Sequence, residues 1–362
     1  VTDRIELPRP DDWHLHLRDG DALRAVAPLS AATFARAIVM PNLKPPVTTV
    51  AQAVAYRARI LEALPEGSTF EPLMTLYLTP DTTPEEIEAA AAHPHVAAVK
   101  LYPAGATTNA EAGVSDLDAI APVLDAMQAV DLPLLIHGES IDPECDPFDR
   151  EAQFVQGKLE PLVERYDRLR IVLEHVTTAE GARFVRQAGP LVAGTLTPQH
   201  LLYDRRALFA GGLRPHMYCL PVLKRAAHRD ALLEAATATD SKFFAGTDSA
   251  PHEIGAKESA CGCAGIFNAP VAVPLYAEAF DSVGALDQLE AFVSRNGPAF
   301  YRRPVNEHTV VLTRASWRVP DTFPLGDGTV VPLRAGENVG WTLDHDVPSR
   351  GPKRAKTVIR RI

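Results

Sequence analysis

The chain has 362 residues, 46% of them hydrophobic and 23% charged, and a formal net charge of -10. This is an ordinary globular composition with room for one large or two average domains, and its acidic balance gives nucleic acid no claim as the main partner. No apolar run approaches the roughly 20 residues of a membrane span, the first residues lack the layout of a secretory leader, and 4 cysteines are no disulfide framework in a chain this long, so a reduced, cytoplasmic setting without membrane contact is expected.

Short apolar, β-branched segments recur along the chain, and amphipathic stretches follow most of them. The expected strands are Trp13–Leu17, Phe34–Met40, Phe70–Leu78, Val96–Leu101, Leu132–His137, Leu169–His175, Pro190–Leu196 and Lys242–Thr247. Helices are expected at Val50–Leu64, after the Thr83-Pro84-Glu85-Glu86 cap, over Asp116–Val130 and over Arg225–Ala236, where apolar side chains recur at helical spacing. Strands alternating with helices imply parallel pairing, and this number of units suits a closed (β/α)8 TIM barrel, of class α/β. A doubly wound open sheet would carry a Gly-rich turn after its first strand; here that place holds His16-Leu17-Arg18-Asp19-Gly20. The connections Thr197–Lys224 and Ser249–Pro270 are long enough to suggest function. Cys261-Gly262-Cys263 reads as reduced thiols in a tight loop, and the basic residues Lys353, Arg354, Lys356, Arg360 and Arg361 are given no role. The division expected is a barrel over residues 1–305 and a small C-terminal extension over 306–362, packed on the barrel.

Unusual polar residues fall at one end of these strands. His14 and His16 share a face of the first strand, because strand side chains alternate; such a pair is half of a metal site. Lys100, His137, His175 and Asp248 each follow an apolar run, at the carboxyl end of the fourth, fifth, sixth and eighth strands. That end is where barrel active sites are built. Singly, each has a bland reading: a hydrogen-bonded histidine, a surface lysine, a helix cap. Together, at one mouth, they would be an expensive cluster of charge unless a metal occupied it. A protonated lysine has no lone pair to offer, but reaction with carbon dioxide would turn Lys100 into a carbamate (N6-carboxylysine) whose two oxygens could bridge a pair of ions. Two metals roughly 3.5–4 Å apart can lower the pKa of a shared water and polarise a carbonyl.

With those ligands in view, the sequence resembles the amidohydrolase superfamily and, within it, the dihydroorotases of the shorter bacterial type. The resemblance runs from about residue 6 to about residue 305. It is carried by Arg9–Gly20, Arg36–Leu43, Val99–Ala104, Gly246–His252 and Cys261–Gly265. It implies reversible closure of N-carbamoyl-L-aspartate to L-dihydroorotate plus water, in pyrimidine biosynthesis. It also implies two zinc ions per chain: His14, His16 and Asp248 at the first, His137 and His175 at the second, with carboxylated Lys100 and a hydroxide bridging them. Asp248 would be the catalytic group, shuttling the proton to and from the ring nitrogen.

The same resemblance gives the substrate contacts. Arg18, on the face of His16, offers a planar fork for a carboxylate, with Asn42 and His252 beside it and His137 also touching substrate. The backbones of Leu220 and Ala264 would read the amide edge of the ring, and Thr107 and Thr108, in the loop 103–109, could close over it. Another cyclic amidohydrolase, such as a hydantoinase or allantoinase, would share the metal site, but an uncharged hydantoin gives no reason for Arg18, Asn42 and His252. A non-catalytic barrel serving another pyrimidine enzyme would be expected to lack ligands, and none is missing here. A homodimer is the expected assembly.

Overall fold

The computed structural model describes residues 3–344. Nine strands precede the C-terminal segment past residue 306: β1 (Arg4–Pro8), β2 (Asp11–Leu15), β3 (Arg36–Val39), β4 (Glu71–Tyr77), β5 (Val96–Leu101), β6 (Leu134–Ile136), β7 (Ile171–Leu173), β8 (Val192–Leu196) and β9 (Phe243–Ala245). Strands β2 to β9 pair in chain order, all parallel, as one eight-stranded sheet. The ring closes between β2 and β9 through an isolated bridge, Leu15↔Ser249. Two backbone bonds accompany it, His16 N to Ser249 O at 3.1 Å and Asp248 N to His14 O at 2.9 Å. This is the expected (β/α)8 barrel.

Alternation along each strand sorts the core into two layers. Ile38, Leu73, Leu135, Val172 and Phe244 fill the barrel interior with Trp13 and Tyr301. Their neighbours Val39, Met74, Ile136, Leu173 and Ala245 face outward, into the larger core under the helices. The helices begin where the sequence offers caps. Thr49 and Gln52 form a capping box at Val50–Glu62, and Thr83 caps Pro84–Ala92. Asp116–Val130 splits into a 3-10 turn, Asp118–Ile120, and the helix Ala121–Val130. Ala226–Ala236 begins after Arg225 without a side-chain cap. The two long connections hold short helices, Pro198–Leu202 and Ile254–Lys257.

Most strands are shorter than expected by a residue or two at each end. The first differs more: it starts at Asp11, not Trp13, and its register slips between Asp12 and Leu15. That irregularity lets Trp13 enter the barrel interior while Leu15 packs outward.

Past residue 306 come β10 (Thr309–Thr313), β11 (Trp317–Arg318), β12 (Phe323–Leu325), β13 (Gly328–Val330), β14 (Asn338–Val339) and β15 (Thr342–Asp344). β10 lies between β1 and β15, antiparallel to both, with Arg4 opposite Thr313 and Pro8 opposite Thr309. The first strand of the chain thus joins the sheet of its C-terminal segment. The basic residues Lys353 to Arg361 lie outside the described residues.

Candidate metal centre and active site

The closing seam of the barrel builds the first half of the site. Asp12, fully buried on β2, accepts hydrogen bonds from Thr247 N (2.8 Å), Thr247 Oγ1 (2.6 Å) and His14 N (3.2 Å). Burial pushes its carboxyl up to about 7, against the opposing pull of the Thr247 bonds. Gly246 is required here, since a Cβ would sit 2.7 Å from Thr195 Cβ and 3.0 Å from His14 Cβ. Across the seam, His14, His16 and Asp248 present ligand atoms within 4.8 Å of one another. Asp248 Oδ1 is 3.4 Å from His14 Nε2 and 3.1 Å from His16 Nε2. Burial raises the Asp248 pKa, but the hydrogen bond from His16 and the closeness of the His14 and His16 rings outweigh it, so the carboxyl sits below its usual range.

The second half comes from β6 and β7. His137 Nδ1 lies 3.2 Å from His175 Nε2, and the His14 and His175 rings, 4.9 Å apart, join the two halves. By alternation Glu174, not His175, should point into the barrel after Val172. His175 adopts φ 41°, a left-handed conformation rare outside glycine, and so turns inward as well. Asp248 (φ 46°) and Arg18 (φ 61°) are strained the same way, as functional sites often are.

Each half has a buried carboxylate behind it. Glu174 Oε2 takes the Nδ1 proton of His14 at 2.7 Å and the hydroxyl of Thr195 at 2.7 Å. Glu139 Oε2 is 2.7 Å from His137 Nε2. These contacts fix the tautomers: His14 Nε2 and His137 Nδ1 are left as lone pairs facing other donors at 3.2–3.4 Å. Burial, followed by the charge of Lys100, drives His14 well below the usual histidine range, and burial does the same to His175. Neutral imidazoles turned lone pair to lone pair are what a cation would hold together.

Lys100, on β5, is fully buried, and its Nζ has no hydrogen-bond partner. Burial lowers its pKa to about 8, with Glu174 and Asp248 opposing. An orphaned amine among lone-pair donors fits a metal-bound carbamate and has no role as a bare ammonium. The donor set therefore fits the implied metal.

The remaining predicted residues surround a cleft that opens to solvent. All of them line it except Lys100, which is fully buried, and His252, which contacts the lining residues Arg18 and Ala264. Arg18 does not pair with Asp19, which is held by Arg59. It donates instead to Pro251 O and to His252 Nε2, both at 3.0 Å. His252 Nε2 is also 3.0 Å from Ala264 O. Asn42 Nδ2 donates to Thr108 O at 3.0 Å, and Thr108 Oγ1 lies 3.4 Å from Ala264 O, so the loop 103–109 reaches across the cleft. Asp12, Glu139 and Glu174 were not singled out from the sequence. The available signal was a carboxylate one or two residues from a ligand histidine, which for Glu174 also follows the apolar run Ile171-Val172-Leu173. Cys261 and Cys263 are free thiols with sulfurs 3.9 Å apart, and Gly262 between them has φ 69°. Among the described residues no helix is long and apolar enough to cross a membrane.

Comparison with known proteins agrees with this geometry. The amidohydrolase family model matches residues 12–306. The dihydroorotase of Halorhodospira halophila is 63% identical over 341 residues, 94% of this chain and 99% of that protein. The crystal structure of dihydroorotase from Campylobacter jejuni superposes with a TM-score of 0.87 at 36% identity, over 95% of this chain and 98% of that one. Dihydroorotase from Saccharomyces cerevisiae, solved in complex with 5-fluoroorotic acid, gives 0.87 at 32% identity, over 95% and 99%. The chain belongs to the amidohydrolase family and, within it, to the dihydroorotases.

Proposed function

We propose that this chain catalyses the reversible interconversion of L-dihydroorotate and N-carbamoyl-L-aspartate, the water-dependent opening and closing of a cyclic amide in pyrimidine biosynthesis. The observation that carries this reading is Arg18. Its guanidinium stands at the wall of a cleft floored by metal-type ligands, and no carboxylate among the described residues pairs with it. A cation left without an anion beside a hydrolytic centre asks for an anionic substrate. The neutral hydantoins do not supply one, whereas dihydroorotate does.

In this reading His14, His16 and Asp248 would hold one zinc ion, His137 and His175 would hold a second, and Lys100, once carboxylated, would complete the ligand set. Bound there, such a pair supplies Lewis acidity, polarising a carbonyl and acidifying water. Lys100 can take up carbon dioxide as a neutral amine, which its lowered pKa makes accessible. Asp248 accepts the proton of the attacking water and delivers it to the ring nitrogen as the amide bond breaks. Arg18, Asn42 and His252 hold the substrate carboxylate. The Leu220 and Ala264 backbones fit the N–H and C=O edge of the ring, His137 touches it, and Thr107 and Thr108 exclude water from above. The catalytic unit is residues 1–305, with 306–362 as an extension that β1 ties to it through β10. A homodimer belongs to the same proposal, and light scattering of the purified chain tests it.

Two assays decide the main point. Metal analysis should find about two zinc ions per chain, and turnover should favour dihydroorotate over a neutral hydantoin. Full activity in a metal-free preparation, or a preference for the hydantoin, overturns the reading. Asp248→Ala should stay folded and lose about 10²–10⁴-fold in kcat.

A further inference from the structure

Lys257 ends the short helix Ile254–Lys257 that follows β9. Its side chain is 3% exposed, yet no acidic residue forms an ion pair with it among the described residues. All three of its ammonium protons go to backbone carbonyls: Tyr218 O at 2.7 Å, Cys263 O at 2.8 Å and Gly265 O at 2.8 Å. Three donors are the full complement of a lysine, so this cation has nothing left for a ligand. A buried charge with no counter-ion is costly unless its hydrogen bonds are satisfied, and here all three tie the lysine to loop backbone.

The three carbonyls identify what is held. Tyr218 lies two residues before Leu220, in the connection after β8. Cys263 and Gly265 flank Ala264, in the connection after β9. Gly265 N also donates to Tyr218 O at 3.0 Å. Leu220, Ala264 and Gly265 line the cleft, and Ala264 O contacts His252, the partner of Arg18. One ammonium thus pins two separate loops at the points from which their backbones face the cleft.

We propose that Lys257 is a positioning residue that sets the spacing between the Leu220 and Ala264 backbones and so determines how tightly the ring of the substrate is held. The inference rests on the dihydroorotase reading above. It places Lys257 in binding, away from bond breaking: the metal ligands come from strand ends, and Lys257 contacts none of them.

The test is steady-state kinetics with dihydroorotate on the zinc-loaded wild type and on Lys257→Met, Lys257→Gln and Lys257→Arg. Methionine keeps the length and volume of the stem but removes the charge and all three donors. We expect KM to rise about tenfold or more in Lys257→Met, with kcat changed less than about threefold and zinc content unaltered, the signature of lost uniform binding. Arginine, which keeps the charge, should recover part of the KM. A KM equal to wild type in Lys257→Met overturns the inference, and so does a fall in kcat that tracks lost zinc, because that pattern is general damage. Should Lys257→Met fail to fold, the other two decide: KM rising from wild type through Arg to Gln supports the clamp, and an unchanged KM in both overturns it. A wild type inactive on dihydroorotate would instead overturn the reading on which the inference stands.

Discussion

His14 and His137 present one nitrogen each to the centre because Glu174 and Glu139 occupy the other. Both carboxyl groups are buried, each with one oxygen on its imidazole and, among the described residues, one oxygen without a hydrogen-bond partner. Burial pushes Glu174 up to about 7, with Lys100 opposing; a cation on the far nitrogen of the ring would favour the charged carboxylate, whose charge makes the imidazole a better donor. Glu174→Gln conserves shape but removes that charge and can present an amide N–H where an acceptor is needed. We expect metal affinity to fall roughly 10–100-fold, read as faster zinc release to a chelator at unchanged thermal stability; release at the wild-type rate would show that the carboxylate is a bystander. The ligands themselves were legible in the sequence because Lys100, His137, His175 and Asp248 follow apolar runs and His14 and His16 share one face of the first strand. The two glutamates were in plain view beside them, in Ile136-His137-Gly138-Glu139 and Glu174-His175, but their role depends on which way an imidazole is rotated. Alternation also misplaces His175, and only its left-handed backbone corrects the assignment.

At the level of elements, the informative place is the closing seam. β2 and β9 share no regular ladder, and two backbone bonds plus the Asp12–Thr247 pair substitute for one. The seam sets the distance of Asp248 from His14 and His16. Thr247→Val keeps the β-branched shape and deletes the hydroxyl, leaving Asp12 Oδ2 without its shortest donor. The expected loss is about 1–3 kcal/mol in denaturant unfolding, together with weaker retention of metal by the His14, His16 and Asp248 group. Unchanged stability would mean that the backbone bonds close the barrel by themselves. Strand existence and order could be read from apolar runs, because parallel strands buried on both faces are continuous in hydrophobicity. The start of β2 could not, because its bulge is set by the register against β3, a partner more than twenty residues away that no local pattern describes.

Across the whole molecule, chemistry gathers at the carboxyl ends of the strands and a separate polar knot secures the opposite end. Arg36, the first residue of β3, forks onto Asp11, the first residue of β2, with Nη2 to Oδ2 at 2.6 Å and Nε to Oδ1 at 3.2 Å. The same guanidinium donates to Pro304 O at 3.0 Å, and Asn306 Nδ2 donates to Asp11 Oδ1 at 2.8 Å. The knot therefore spans the chain from the first barrel strand to the point where the barrel runs into β10, next to β1. No sequence pattern links residues so far apart, and for the same reason the β1–β10 pairing was not foreseen. Asp11 shows what the burial costs: it pushes the carboxyl above its ordinary range even though Arg36 pulls the other way. Arg36→Leu removes the only partner charge among the described residues and leaves Asp11 buried with Asn306 as its remaining side-chain partner there. The expected destabilisation is about 3–5 kcal/mol, measured by urea unfolding. The knot lies at the end of the barrel remote from the cleft, so the molecules that remain folded should keep wild-type zinc content and KM. A variant that unfolds like wild type would show the knot to be ornamental, and one whose KM shifts in step with its stability would show that the two ends of the barrel are mechanically coupled.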